Sequence, residues 1–300
     1  MKKTLQSVLV LAQIQQFLYF VCITTLLGVA ASQGHFNWQF IIILIANWLA
    51  VGFGYMYTSI ENAPEDALLE VQHDQNPIAA GLISPKTARN GTFISAVLSI
   101  GLYSLLGGWC LVLGLLSLLI SLLYASRNLR LKSIPIINIL SYSLILAGLP
   151  FLCGYASFAS DLSKGWIWPF GFVISIAIIS KYYKDSRPFT MDTISQSQKT
   201  TSTLTSRTTQ LILLTSLIIG LISAVNSFIV MELIPIWVLI LILILTSVLI
   251  LSHAGADRHP QRSAGTIKII QKSLEKAAAT ALLMQFIIPW LSQFITWKIF

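Results

Sequence analysis

Nine runs of apolar residues, most of them long enough to cross a membrane, follow one another along this chain. They cover 11–32, 38–58, 92–107, 109–125, 134–158, 166–183, 209–230, 233–252 and 277–296. About 20 mainly apolar residues in helical form span a hydrocarbon core roughly 30 Å thick. Only 10% of the 300 residues are charged, against about 25% in soluble domains. The expected fold class is therefore an all-α integral membrane protein, with about nine transmembrane helices in one polytopic domain over 1–300. Two joins are very short: Gly107-Gly108 alone separates the third run from the fourth, and Val230 to Leu233 separates the seventh from the eighth. The first run is too long for a signal-peptide core and is kept as a span.

Basic residues set the orientation. With the N-terminus in the cytoplasm, 17 of the 19 Lys and Arg residues fall on inside segments, and only Lys164 and Lys298 fall outside. The net charge of +8 is first a topology signal, with attraction for anionic headgroups or diphosphates as a second consequence. Nucleic acid is excluded as a partner, because the basic residues border spans and form no basic soluble domain. The expected location is a cell inner membrane or its equivalent, with the chain crossing many times and in contact with membrane lipids. Polar stretches at 61–90, 127–133, 185–207 and 253–276 share the inside face, as do nine of the eleven acids. A site built from loops at one membrane face follows, borne by 61–90, 127–133 and 185–207. Cys22, Cys110 and Cys153 sit in apolar runs and read as small buried hydrophobes. The four His residues form no ligand pair. Most Trp residues fall near span ends, as interface anchors or as cavity-lining aromatics.

The acids gather first in Thr58-Ser-Ile-Glu-Asn-Ala-Pro-Glu-Asp66. Thr58, Asn62 and Asp66 stand at i, i+4 and i+8, one face of a helix. On an ideal helix Glu65 falls about 20° from Thr58 and Glu61 about 60° away. Pro64 interrupts this reckoning, since proline kinks or ends a helix. Glu61, Glu65, Asp66, Glu70 and Asp74 can equally be read as a solvated acidic loop.

The chain then continues with Asn76-Pro-Ile-Ala-Ala-Gly-Leu-Ile-Ser84. Together the two stretches resemble the first signature of the UbiA superfamily of intramembrane prenyltransferases, Asn-Asp-x-x-Asp-x-x-x-Asp followed by Arg/Asn-Pro-Ile-x-x-Gly-x-Ile-Ser. Asp66 matches the last Asp, while Thr58, Ser59 and Asn62 replace the earlier Asn, Asp and Asp. Tyr124-Ala-Ser-Arg-Asn-Leu-Arg-Leu-Lys132 is similar to the family's Tyr-Ser-x-Pro-Pro-x-Arg-x-Lys segment, with Tyr124, Arg130 and Lys132 in place. Lys199 to Arg207 resembles a Thr-rich run that follows the second aspartate motif. Counting back from it aligns Asp192 with the final Asp and Pro188 with the preceding one, and Asp185 lies seven residues before Asp192.

The resemblance implies a UbiA-like bundle around a central cavity. It implies transfer of an isoprenyl group from its diphosphate to a lipophilic acceptor, with Mg²⁺ as cofactor. Asp66 and Asp192 would be catalytic. Glu61, Glu65, Asp66, Asp185 and Asp192 would hold metal, and Asn62, Tyr124, Arg130 and Lys132 would bind substrate. Mg²⁺ takes oxygen ligands, usually one or two carboxylates with substrate phosphates and water, and Arg and Lys suit phosphate as fork and point charge. If Asp66 and Asp192 share one cavity, their carboxylates should lie within about 10 Å, given Mg²⁺–oxygen bonds of about 2 Å. The alternative is a silent member of the fold that binds an isoprenoid lipid or a membrane partner. A transporter is disfavoured, because the spans carry almost no charge.

Overall fold

The computed structural model describes residues 10–68, 76–127, 129, 131–159, 164–186, 206–254 and 263–297. Among the described residues there are nine helical rods and no strand. They are α1 (Ile14–Ala31), α2 (Trp38–Asp66), α3 (Pro85–Leu105), α4 (Gly108–Ala125), α5 (Pro135–Ala156), α6 (Ile167–Ser186), α7 (Ser206–Ala224, continued by the wider turn Val225–Val230), α8 (Ile236–Ala254) and α9 (Ser263–Trp297). Helices α1, α2, α4 and α5, with the Gln210–Val230 part of α7 and the Ile270–Ser292 part of α9, are six segments long and apolar enough to cross a membrane. Shorter apolar stretches lie in α6 (Ile167–Tyr182) and α8 (Ile236–Ser247).

Several ends differ from the sequence reading, and each has a local cause. Pro64 does not stop α2, which carries on to Asp66. At 29 residues α2 is about 43 Å long at 1.5 Å per residue, so its last turns stand clear of a 30 Å core. Helix α3 begins at Pro85, seven residues earlier than expected, because the Ser84 side chain accepts from the Thr87 amide at 3.1 Å and proline suits a first turn. Helix α9 begins at Ser263, so much of the stretch read as a polar loop over 253–276 is helix. Polar pairs one turn apart support it, such as Gln271 Nε2 donating to Glu275 Oε1 at 2.8 Å.

Helix α5 contains Pro150, which lacks an amide proton and whose ring crowds the carbonyl four residues back. The turn just before it, Leu144–Gly148, widens to take up the conflict. The Leu146 carbonyl there lies 3.5 Å from Thr24 Oγ1 of α1.

Helix α2 packs on α3 and α4, α1 on the second half of α5, α6 on α7, and α8 on α9, which returns to α1. Small residues bring α1 and α5 together. A Cβ on Gly28 would stand 2.1 Å from the Phe151 carbonyl oxygen, and one on Gly154 would stand 2.4 Å from that of Thr25. Such contacts are how helices associate where lipid removes the hydrophobic drive. Asn47 of α2 lies beside this crossing, 1% exposed. Its Nδ2 donates to Thr25 Oγ1 at 2.8 Å and to the Pro150 carbonyl at 3.0 Å, while Tyr103 Oη donates to its Oδ1 at 2.7 Å. One side chain thus ties α1, α2, α3 and α5. The outer surface is apolar, with Val112, Leu116 and Leu119 of α4 and Leu214, Ile218 and Leu221 of α7 exposed.

Candidate functional site

The site residues of α2 lie in its last turns. Thr58 Oγ1 donates to the Gly54 carbonyl at 2.8 Å and Ser59 Oγ to the Tyr55 carbonyl at 3.1 Å. Both hydroxyls therefore fold back on their own helix. Helix α4 approaches closely just below, since a Cβ on Gly54 would stand 3.0 Å from Ser121 Oγ.

The next turns meet other segments. Lys132, in the short turn Leu131–Ser133, donates from Nζ to Asn62 Oδ1. Asp66 Oδ2 accepts from Asn76 Nδ2 at 2.7 Å. Asn76 is 4% exposed and does more than hold that carboxylate. Its Nδ2 also donates to the Ser59 carbonyl at 2.8 Å, and its Oδ1 accepts from the Ile78 amide at 3.1 Å. Every group of the amide thus has a partner, and the turn leading to Pro85 is clamped against the end of α2. Gly81, with φ +69, takes the left-handed conformation the turn needs. The charges of Lys132 and Glu65 both act on Asp66.

Two further ties close this end of the bundle. Arg127 Nε donates to the Glu61 carbonyl at 3.0 Å and lies 3.9 Å from its carboxylate. Glu61 is thus engaged with a cation at the rim. Tyr124 Oη donates to Asn138 Oδ1 at 2.9 Å, joining α4 to the first turn of α5.

The structure therefore brings Glu61, Asn62, Asp66, Tyr124 and Lys132 to the end where α2 and α4 finish and α3 and α5 begin. Glu65 is exposed on the last turn of α2. Asp185 lies in the last turn of α6. Arg130 and Asp192 lie outside the described residues, and with them the expected Asp66–Asp192 separation. Sequence reasoning quoted Asn76 within its motif but gave it no part in the site. The signal was the Asn that opens the Asn-Pro-Ile run.

Among the described residues no three of His, Cys, Asp and Glu converge as a metal cage would require. Near Asn62 one carboxylate, Asp66, is held in place by an amide. That donor set fits a Mg²⁺ that arrives with a diphosphate and takes most of its oxygens from phosphate and water. It does not fit an all-protein site.

An apolar groove of about 530 Å³ lies on another side of α2, lined by Phe17, Leu18, Trp48, Gly52, Met56 and Ile94 among others. Neither Thr58, Asn62, Asp66 nor Lys132 lines it, so this groove is not where the motif residues meet.

A model of the UbiA prenyltransferase family matches residues 21–271. Among curated protein sequences no relative matches. The fold is similar to that of a digeranylgeranylglyceryl phosphate synthase, with TM-score 0.63 and 14% identity over 95% of this chain and 98% of the other. A UbiA homologue from Aeropyrum pernix K1 gives TM-score 0.64 at 17% identity, covering 92% and 98%. A UbiA homologue from Archaeoglobus fulgidus bound to GPP and Mg²⁺ gives 0.54 at 15% identity, covering 94% and 87%.

Proposed function

The chain belongs to the UbiA prenyltransferase family, and from that premise we propose that it moves an isoprenyl group from its diphosphate to a lipophilic acceptor within the membrane. The observation that carries this reading is the built end of α2, where Asn76 holds Asp66 and the Lys132 ammonium sits on Asn62. A carboxylate and a cation held on one helix face are what a metal-bridged diphosphate needs. Arg130 and Lys132 hold the diphosphate, and Tyr124 fixes the start of α5 beside it through Asn138. Asp66 and Asp192, with Glu61, Glu65 and Asp185 in support, are the residues that would hold Mg²⁺. Bound there, the ion would neutralise charge on the departing diphosphate. The A. fulgidus homologue, solved with GPP and Mg²⁺, supports the choice of ligands. We further propose that all nine rods cross the membrane with the N-terminus in the cytoplasm, which puts this end of the bundle at the cytoplasmic face.

A second reading is favoured by one observation. Thr58, Ser59 and Asn62 are neutral, and the first two spend their hydroxyls on their own helix. On this reading a chain with one first-motif carboxylate keeps the binding of isoprenoid lipids without ionisation. Purified protein in detergent decides between them. The transferase releases diphosphate from geranylgeranyl diphosphate in a Mg²⁺-dependent way. A binding protein takes up the lipid and releases none, also after Ser59→Asp and Asn62→Asp are combined.

A further inference from the structure

The apolar groove beside α2 has no part in the transferase reading, and its walls determine what can fill it. Its volume of about 530 Å³ is that of a pocket for a drug-sized molecule rather than a shallow furrow. Along α2 its lining runs from Ile45 to Met56, about 16 Å at 1.5 Å per residue. That stretch lies inside a segment apolar enough to cross a membrane, and so does the α1 wall at Phe17 and Leu18. Of the lining side chains only Trp48 and Ser95 carry an N–H or O–H group. Trp48 Nε1 donates to the Leu18 carbonyl at 3.2 Å and Ser95 Oγ to the Leu49 carbonyl at 2.9 Å, so both are spent inside the wall. A polar occupant would find no partner there, and at this depth no water offers one. The groove therefore takes hydrocarbon.

One end of the groove selects the head that this hydrocarbon carries. At Ala12 and Met56 the walls pack with Leu11, Ile83 and Ala88 and close the groove. On the α3 side Gly91, Ile94 and Leu98 line it, and the first turn of α3 stands beyond Gly91. That turn carries Lys86 and Arg89, both exposed and neither in an ion pair among the described residues. Lys86 stands five residues before Gly91, about 7.5 Å further along the helix. Long basic side chains lie along apolar surface and bring their charge to an interface. Neither α1 nor α3 holds an acid that would offset the two charges. Cations at the mouth of an apolar groove match a lipid with a negatively charged head. We propose that this groove seats an acyl chain of an anionic phospholipid, with the phosphate at Lys86 and Arg89. Such a seat is independent of the donor diphosphate and of any transfer chemistry.

The test titrates full-length protein in detergent with phosphatidylglycerol whose acyl chains carry bromine. Bromine quenches a tryptophan that it touches, and Trp48 lies in the groove wall. Quenching should saturate, and Trp48→Phe should remove the saturable part. Phosphatidylcholine with the same chains should bind about 20-fold more weakly, each cation contributing about five-fold. Lys86→Gln combined with Arg89→Gln should abolish most of that preference. Gly52→Leu should plug the groove and weaken binding of phosphatidylglycerol about ten-fold, since a Cβ at Gly52 meets only Phe17, at 3.6 Å. Ile94→Phe narrows it from an exposed position on α3 and replaces Gly52→Leu if that variant does not purify. Quenching that fails to saturate, survives Trp48→Phe or is equal for the two lipids overturns the proposal. So does a preference that survives loss of both cations, or unchanged binding in the plugged variant. Geranylgeranyl diphosphate with Mg²⁺ should leave the lipid in place. Its displacement would give the groove to the isoprenoid donor and overturn the proposal, while absent diphosphate release would fell the transferase reading alone.

Discussion

Asn47 and Asn76 are both buried amides that touch α2, and they do different work. Asn47 lies in the middle of the bundle and spends its bonds on Thr25, Pro150 and Tyr103. Its partners are backbone and uncharged hydroxyls, and two of the four helices it joins, α1 and α5, meet through Gly28 and Gly154. Asn76 lies at the end of the bundle and spends one of its bonds on a carboxylate. Around it the partners are charged, with Lys132 on Asn62 and Arg127 on Glu61. The middle is a closed account of polar groups, as a dry interior demands. The end keeps charged groups that a ligand can compete for. In this bundle the amide with only neutral partners lies in the scaffold, and the amide that holds an ionisable group lies at the candidate site.

The largest test of this contrast is Gly28→Ala. Its Cβ would meet backbone rather than a side chain, so α1 and α5 must separate. We expect a loss of roughly 3 kcal/mol or more, seen as failure to purify as a single species or as a steep fall in melting temperature. A normal melt would show that the crossing is loose. Next comes Asp66→Asn, which should cut diphosphate release by about 100-fold and leave melting close to unchanged. Asp185→Asn should cost less. If Asp185→Asn is the more damaging, the metal-bearing role moves from α2 to α6.

The paired amides sharpen the comparison. Asn47→Ala leaves three buried groups without their partner and should cost roughly 2 kcal/mol in unfolding measurements, with substrate affinity of the folded fraction preserved. Asn76→Ala should do the reverse, lowering diphosphate release about ten-fold with a small change in melting. Equal effects of the two on stability would erase the distinction drawn between them. The smallest effect is expected of Arg127→Ala. Its ion pair with Glu61 is 3.9 Å long and the arginine is 45% exposed, so unfolding should move by at most ~0.5 kcal/mol.

Much of the end of α2 was legible in the sequence. The spacing of Thr58, Asn62 and Asp66 placed them on one face, and the helix they need does run through Pro64 to Asp66. Pro64 does not end the helix, because its local cost is set against packing that no window of sequence displays. Glu61 reads from the sequence as a displaced metal ligand, and the structure adds that Arg127 Nε lies 3.9 Å from its carboxylate. Lys181 read as one of many residues marking the inside face. In the structure it is buried, with its ammonium 4.9 Å from the centre of the Tyr142 ring of α5.

By itself the sequence determined that this is a bundle of helical rods in a membrane, and nearly where each rod lies. The reason is that hydrocarbon thickness acts on each segment separately, so a run of apolar residues carries its own answer. It also offered most of the candidate site residues, since the family's motifs are local strings. Only the tertiary structure decided that Asn76 holds Asp66, that Lys132 meets Asn62 across 70 residues of chain, and that the Lys181 ammonium faces the Tyr142 ring. Those pairings follow from how closely the helices approach and at what register. That is fixed by small residues such as Gly28 and Gly54 meeting backbone or a serine on another helix, and spacing along one chain does not encode it.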